Sequence, residues 1–132
     1  MHIVHTLPAG LPGGMLAYLT AQMLNGMAMG YLPLAALCPL PPLYQSGVRY
    51  ALEPNHGQGW EDFANPWTTL ARGFGDCDDL ILYRLVELLL AGEHAHCRAE
   101  WADTAVHVVI RRANNDREDP SVLLGAPSPL LR

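Results

Sequence analysis

Cys77, His107 and Asp119 are residue types that together can run nucleophilic catalysis, and each sits in a local sequence that suits its part. Cys77 lies in Gly75-Asp76-Cys77-Asp78-Asp79-Leu80. Asp76 is a good helix N-cap, so the thiol falls in the first turn of a helix. There the free backbone N–H groups and the positive end of the dipole stabilise a thiolate. The same first turn, at Asp78, could hold the oxyanion of a tetrahedral intermediate. The glycines before it would let a substrate approach closely. Asp76, Asp78 and Asp79 work against a second negative charge, so activation needs a histidine partner. Without one, the run is a capped helix with a small buried cysteine.

His107 is the best candidate base. It lies in Val106-His107-Val108-Val109-Ile110, which reads as a strand with apolar neighbours on both faces. A buried histidine is also commonly a hydrogen-bonded core residue. Asp119, in Arg117-Glu118-Asp119-Pro120-Ser121, could hold the imidazole in one tautomer, or could simply start a turn at Pro120. Hairpin arithmetic constrains the pair. The two are directly opposite, on one face, only if the turn is centred on Ala113. A two-residue turn at Asn114-Asn115 would pair Ile110 with Asp119 and put Asp119 on the wrong face. The catalytic reading therefore predicts a longer loop or a bulge near Arg112–Asn115.

The positioning elements follow from periodicity. Residues 1–12 read as an irregular lead-in, followed by a helix from about Gly14 to Tyr31 with a methionine-rich apolar stripe. Pro33, Pro39, Pro41 and Pro42 should break it. A short strand is expected at Val48–Leu52, a long loop over 53–66, a helical turn at Pro66–Arg72 and a turn at Gly73-Phe74-Gly75. From Cys77 to Leu90 the apolar positions nearly encircle the helix, so it should be buried on most sides, with Gly92 as its stop. Strands around Cys97–Trp101, Ala105–Arg111 and Arg117–Asp119 follow. The order is α+β: a buried helix starting at the cysteine, packed on a small antiparallel sheet, with an extra N-terminal helix. One domain spans 1–132, with an N-terminal helical region to 40, a core over 41–125 and a tail over 126–132.

Composition excludes several classes. At 132 residues and net charge −5, with Arg111-Arg112 the only adjacent basic pair, the chain has no patch for nucleic acid. It lacks lysine, so only the α-amino group could act as an amine acceptor within the chain. Three cysteines are too few and odd for a disulfide framework. The start, Met1-His2-Ile3-Val4-His5, lacks the basic residues of a signal peptide. No Asp, Glu, Lys or Arg precedes Arg49, and Met15–Leu40 is long enough to span a bilayer. Yet Gln22, Asn25, two glycines and two prolines interrupt it, and no basic cluster flanks it, so a buried helix is expected rather than a membrane span. His94-x-His96-Cys97 matches no standard zinc motif and reads as surface histidines. No metal or other cofactor is expected.

The order cysteine, histidine on a strand, aspartate on the next strand resembles the transglutaminase-like branch of the papain-like cysteine enzymes. The resemblance rests on Gly75–Leu80, His107-Val108-Val109 and Asp119-Pro120-Ser121. It is closer still to small transglutaminase-like proteins of tailed bacteriophages and prophages, through Pro41-Pro42-Leu43-Tyr44, Ser46–Tyr50, Trp60, Glu118–Ser121 and Leu124-Gly125. It covers roughly residues 40 to 125. It implies Cys77 as nucleophile, His107 as general acid/base and Asp119 as orienter of a catalytic triad. It also implies an upstream tryptophan, Trp60 or Trp67, beside the oxyanion; no glutamine stands close before Cys77 for the papain-type role. The implied activity is that of a cysteine protease or amidase, a hydrolase acting on peptide or protein amides, in the host cytoplasm or the virion. The alternative is a non-catalytic virion or assembly protein that keeps the fold and meets phage structural proteins.

Overall fold

The computed structural model describes residues 6–7, 13–52, 61–62, 64–102 and 105–126. The chain begins with strand β1 (Thr6–Leu7) and a long helix α1 (Gly13–Leu37). The lead-in is thus partly strand: β1 pairs antiparallel with β3 (Glu61–Asp62), a stretch expected to be loop. Two-residue strands carry too few positions for periodicity to reveal.

On one side of α1, Ala17, Ala21, Leu24, Ala28, Tyr31 and Ala35 recur every three or four residues and are buried. Their mostly small side chains let α1 lie close against α3 (Cys77–Leu90). Pro33 does not end the helix, which runs four residues further to Leu37. Pro33 is exposed, and its missing N–H would have bonded the carbonyl of exposed Met29, where water can substitute. Burial of Ala35 beyond it, and an edge-on contact of Tyr31 with Trp67 (5.8 Å, 69°) just before it, hold the last turns.

A 3-10 turn (Leu43–Gln45) interrupts the proline-rich connection, and strand β2 (Arg49–Tyr50) follows. Helix α2 (Pro66–Arg72) occupies the expected span. Its Asn65 cap accepts from the Thr68 N–H at 2.9 Å, with Pro66 in the first turn and Gly73 (φ 82°) as the left-handed stop. The expected turn at 73–75 is half strand: β4 (Phe74–Gly75) pairs in parallel with β2. That pairing fixes the backbone immediately before Cys77.

The sheet is antiparallel, in the order β5 (His96–Ala102), β6 (Ala105–Arg111), β7 (Arg117–Glu118), and helices α1 and α3 pack on it. Ile81, Leu82 and Leu85 of α3 join Cys97, Val108 and Ile110 in one core, while Leu80 and Tyr83 join Leu43, Val48 and Leu124 in another. Serving two cores is why the apolar positions of α3 encircle it. Asn25 protects the edge of β5: its amide accepts from the Cys97 N–H at 2.7 Å and donates to the Cys97 carbonyl at 3.2 Å.

The β6–β7 turn has three residues, Ala113 to Asn115, between Arg112 and Asp116. Asn115 takes the left-handed conformation (φ 72°), as three-residue hairpin loops require. Ile110 pairs with Glu118 and Arg111 with Arg117. Continued by one residue, this register sets Asp119 opposite Val109. Asp119 is therefore a diagonal neighbour of His107 on the same face, a register between the two considered from sequence. After Asp119 comes a further helix, α4 (Pro120–Leu123), where sequence suggested only a turn.

Candidate functional site

The start of α3 is built around Asp79. Asp76 and Asp79 form a reciprocal capping box, Asp76 accepting from the Asp79 N–H at 3.1 Å and Asp79 from the Asp76 N–H at 3.2 Å. Asp79, fully buried, also accepts from the Ala64 N–H at 2.9 Å and from the Arg72 guanidinium at 2.7 Å. One carboxylate thereby joins the chain before α2, the end of α2 and the first turn of α3. The acids around Cys77 are thus not three equal burdens on a thiolate, because the charge of Asp79 is met by Arg72.

Gly75 is required here by space. A Cβ on it would lie 2.8 Å from Asp79 Cβ and 3.2 Å from Thr69 Cγ2. Gly75→Ala is expected to lower stability by about 1–3 kcal/mol, the range for overpacking, measured by urea unfolding. A neutral outcome would mean that α2 and the α3 cap separate without strain.

Cys77 opens α3 and is partly exposed. Its thiol faces Asp78 Oδ1 at 3.8 Å, and Asp78 is buried. The other two cysteines differ. Cys38 is exposed, whereas Cys97 is buried and its thiol is pushed well up, first by burial and then by the charge of Asp78.

His107 and Asp119 meet, with His107 Nε2 2.7 Å from Asp119 Oδ2. Asp119 is buried and also caps α4. Its other oxygen accepts from the Ser121 hydroxyl at 2.8 Å and the Val122 N–H at 3.4 Å. Burial opposes its charge, but the hydrogen bonds from His107 and Ser121 outweigh it and hold Asp119 below the usual carboxylate range. With Nε2 directed at Asp119, Nδ1 is the nitrogen left to exchange a proton with another group.

Strand alternation defines the surroundings of this pair. Val108 and Ile110 enter the core shared with α1 and α3. Glu118, paired with Ile110, shares that side and binds Arg84 of α3 at 2.6 Å. His107 and Asp119 lie on the other side, with Glu100, Arg111 and Arg117. There Glu100 bridges Arg117 across β6, over the buried Val109.

Glu118 also accepts from Arg112 at 2.8 Å and from the Tyr44 hydroxyl. Partial burial opposes its charge, yet Arg84 and Tyr44 hold its carboxyl below the ordinary range. Glu118 and Asp119 therefore bind fewer protons folded than unfolded. Their contribution is complete above about pH 5 and is lost as pH falls through the lowered folded values. Glu118→Gln should be less stable at neutral pH and show a shallower acid limb in a pH series of urea melts. An acid limb as steep as the wild type would show that Glu118 is not among the groups that set it.

Trp67 and Asp78 were the other expected contributors. The Trp67 indole N–H donates to the Cys38 carbonyl at 3.0 Å, and its ring packs on Tyr31. The Asp78 side chain faces the Cys77 thiol. Trp60 lies outside the described residues. His94 and His96 are exposed, and among the described residues no cluster of three or more His, Cys, Asp or Glu could hold a metal. Nor is any helix among them long and apolar enough to cross a membrane. Sequence reasoning did not single out Arg72, Ser121 or Asn25; Ser121 alone carried a signal, two residues after an aspartate. No family model matches the chain, and neither a curated protein nor a solved structure does.

Proposed function

We propose that this chain is a papain-like, transglutaminase-like domain that cleaves amide bonds through Cys77, His107 and Asp119. The His107–Asp119 pair carries the reading: a strand histidine held by a buried, charged carboxylate at 2.7 Å, with its other nitrogen left for chemistry. Cys77, in the first turn of α3, is the thiol suited to be its partner. The reading requires the start of α3 to meet β6 on the His107 side.

In the proposed reaction His107 Nδ1 takes the thiol proton and the sulfur attacks the amide carbonyl. A C–S bond forms, with first-turn N–H groups holding the oxyanion. The C–N bond breaks as the imidazolium gives its proton to the leaving amine. Water, deprotonated by His107, then attacks the thioester, releases the carboxylic acid and restores the thiol. Hydrolysis is favoured over crosslinking, because water is always present and the small domain has no obvious insertions to shield a thioester. Peptide or protein amides are the proposed substrates, and the host cytoplasm or the virion of a tailed phage is the proposed location.

Intact-mass analysis after exposure to p-nitrophenyl acetate tests the nucleophile. One acetyl group on Cys77, formed with a burst of nitrophenol and absent in His107→Ala, is the expected result. Labelling at Cys38 alone would overturn it.

A second reading has its own support. The Cys77 thiol is hydrogen-bonded to the Asp78 carboxylate, and the side of the sheet that carries His107 also carries the Glu100–Arg117 bridge. Both suit a non-catalytic virion or assembly protein in which the His107–Asp119 pair only fastens β6 to the start of α4.

A further inference from the structure

We propose that Ser121 is a positioning residue of the reaction above: its hydroxyl locks the roll of the Asp119 carboxylate and so fixes which imidazole nitrogen of His107 is free for Cys77. The inference rests on the Cys77–His107–Asp119 reading and adds a side chain that acts only through Asp119.

Asp119 is pulled two ways. Oδ2 lies 2.7 Å from His107 Nε2, while Oδ1 accepts from the Ser121 hydroxyl at 2.8 Å and, more distantly, from the Val122 N–H at 3.4 Å. The last torsion of an aspartate side chain is soft, so the carboxylate can turn. Turned toward the Val122 N–H, it would cap α4 better and hold His107 worse. The hydroxyl opposes that turn. Ser121 leaves only 2% of its surface in water, so its O–H has no ready exchange with solvent. A buried hydroxyl without an acceptor is costly, which keeps this one on Asp119.

The backbone of Ser121 is held as well. Pro120, with its fixed φ, precedes it. Its carbonyl accepts from the Ala126 N–H at 2.8 Å and the Leu124 N–H at 3.2 Å. The Leu124 carbonyl accepts from the Tyr50 N–H of β2 at 3.1 Å. The residues on either side, Arg49 and Ala51, donate to the carbonyls of Gly73 and Gly75 at 3.1 and 2.9 Å. Gly75 stands two residues before Cys77. Ser121 thus belongs to the backbone frame that leads to the thiol, whereas His107 belongs to the sheet. The Ser121–Asp119 bond joins the two. A carboxylate held at Nε2 keeps the proton there and leaves Nδ1 to accept the thiol proton. A carboxylate free to turn lets the proton move to Nδ1, where the ring is no base toward Cys77.

Two readouts on the full chain test the proposal. In long-range 1H–15N spectra, neutral His107 should be one tautomer, protonated at Nε2, in the wild type and a mixture in Ser121→Ala. Acetylation of Cys77 by p-nitrophenyl acetate should slow about tenfold in Ser121→Ala, the scale of one charge-assisted hydrogen bond. Ser121→Thr, which keeps the hydroxyl, should restore both; if circular dichroism shows it unfolded, the Asp119→Asn background decides. There Ser121→Ala should cost less than about twofold more, because Ser121 acts through that carboxylate. A hydroxyl that only closes α4 would leave the tautomer unchanged and slow both backgrounds alike, and that result overturns the proposal. So does a wild-type ring protonated at Nδ1. Acetylation of Cys77 that is unchanged in His107→Ala overturns the triad reading itself, and the proposal with it.

Discussion

Cys77→Ala is expected to abolish hydrolysis of a responsive amide or ester substrate, by at least about a thousandfold, with a stability change within about 0.5 kcal/mol. The size follows from chemistry. With no nucleophile the acyl group has nowhere to go, and the remaining N–H groups and binding contacts accelerate attack by water only modestly. The small effect on stability follows from position. Cys77 is partly exposed, its hydrogen bond with Asp78 is long, and alanine is a good helix former. Steady-state turnover and a urea melt of the same preparation separate the two quantities. Turnover retained in Cys77→Ala would sink the mechanism whatever the stability.

Asp79→Ala should be the most damaging single change at the start of α3, lowering stability by about 3–5 kcal/mol, the range for removing one partner of a buried ion pair. The substitution removes the acceptor that the Arg72 guanidinium, the Ala64 N–H and the Asp76 N–H share. Asp79→Asn keeps the shape and one acceptor oxygen but not the charge, so it should fall between. Urea unfolding of the three proteins gives the ranking. A loss below about 1 kcal/mol for the alanine variant would mean that α2 and α3 are positioned without this carboxylate.

The parts of the fold legible in sequence are those with strong local chemistry. Asp76 before an apolar run marked the start of α3, and Pro66 with the turn at Gly73 bounded α2, because such signals act within a turn. The β5 and β6 strands were read from runs long enough to show a pattern. The two-residue strands β1, β3 and β4 were not, because their pairing is decided by distant backbone. Pro33 misled because a proline on the water side of a helix can be tolerated when a residue beyond it, here Ala35, is buried. The site divides in the same way. A shared face for His107 and Asp119 came down to parity, and a three-residue turn supplied it. The Arg72–Asp79 pairing joins two helices, and nothing in either local sequence foretold it.

The central claim is that the Cys77 thiol and the His107 imidazole act as a nucleophile–base pair. Iodoacetamide alkylation followed against pH, in a Cys38→Ala background and with the labelled peptide located by mass spectrometry, tests it most directly. The paired account predicts selective labelling of Cys77, already fast well below the ordinary thiol value of about 8.5, and loss of that low-pH reactivity in His107→Ala. A rate that rises only through the ordinary thiol range, and is the same in both proteins, would contradict it and leave His107–Asp119 as a structural pair.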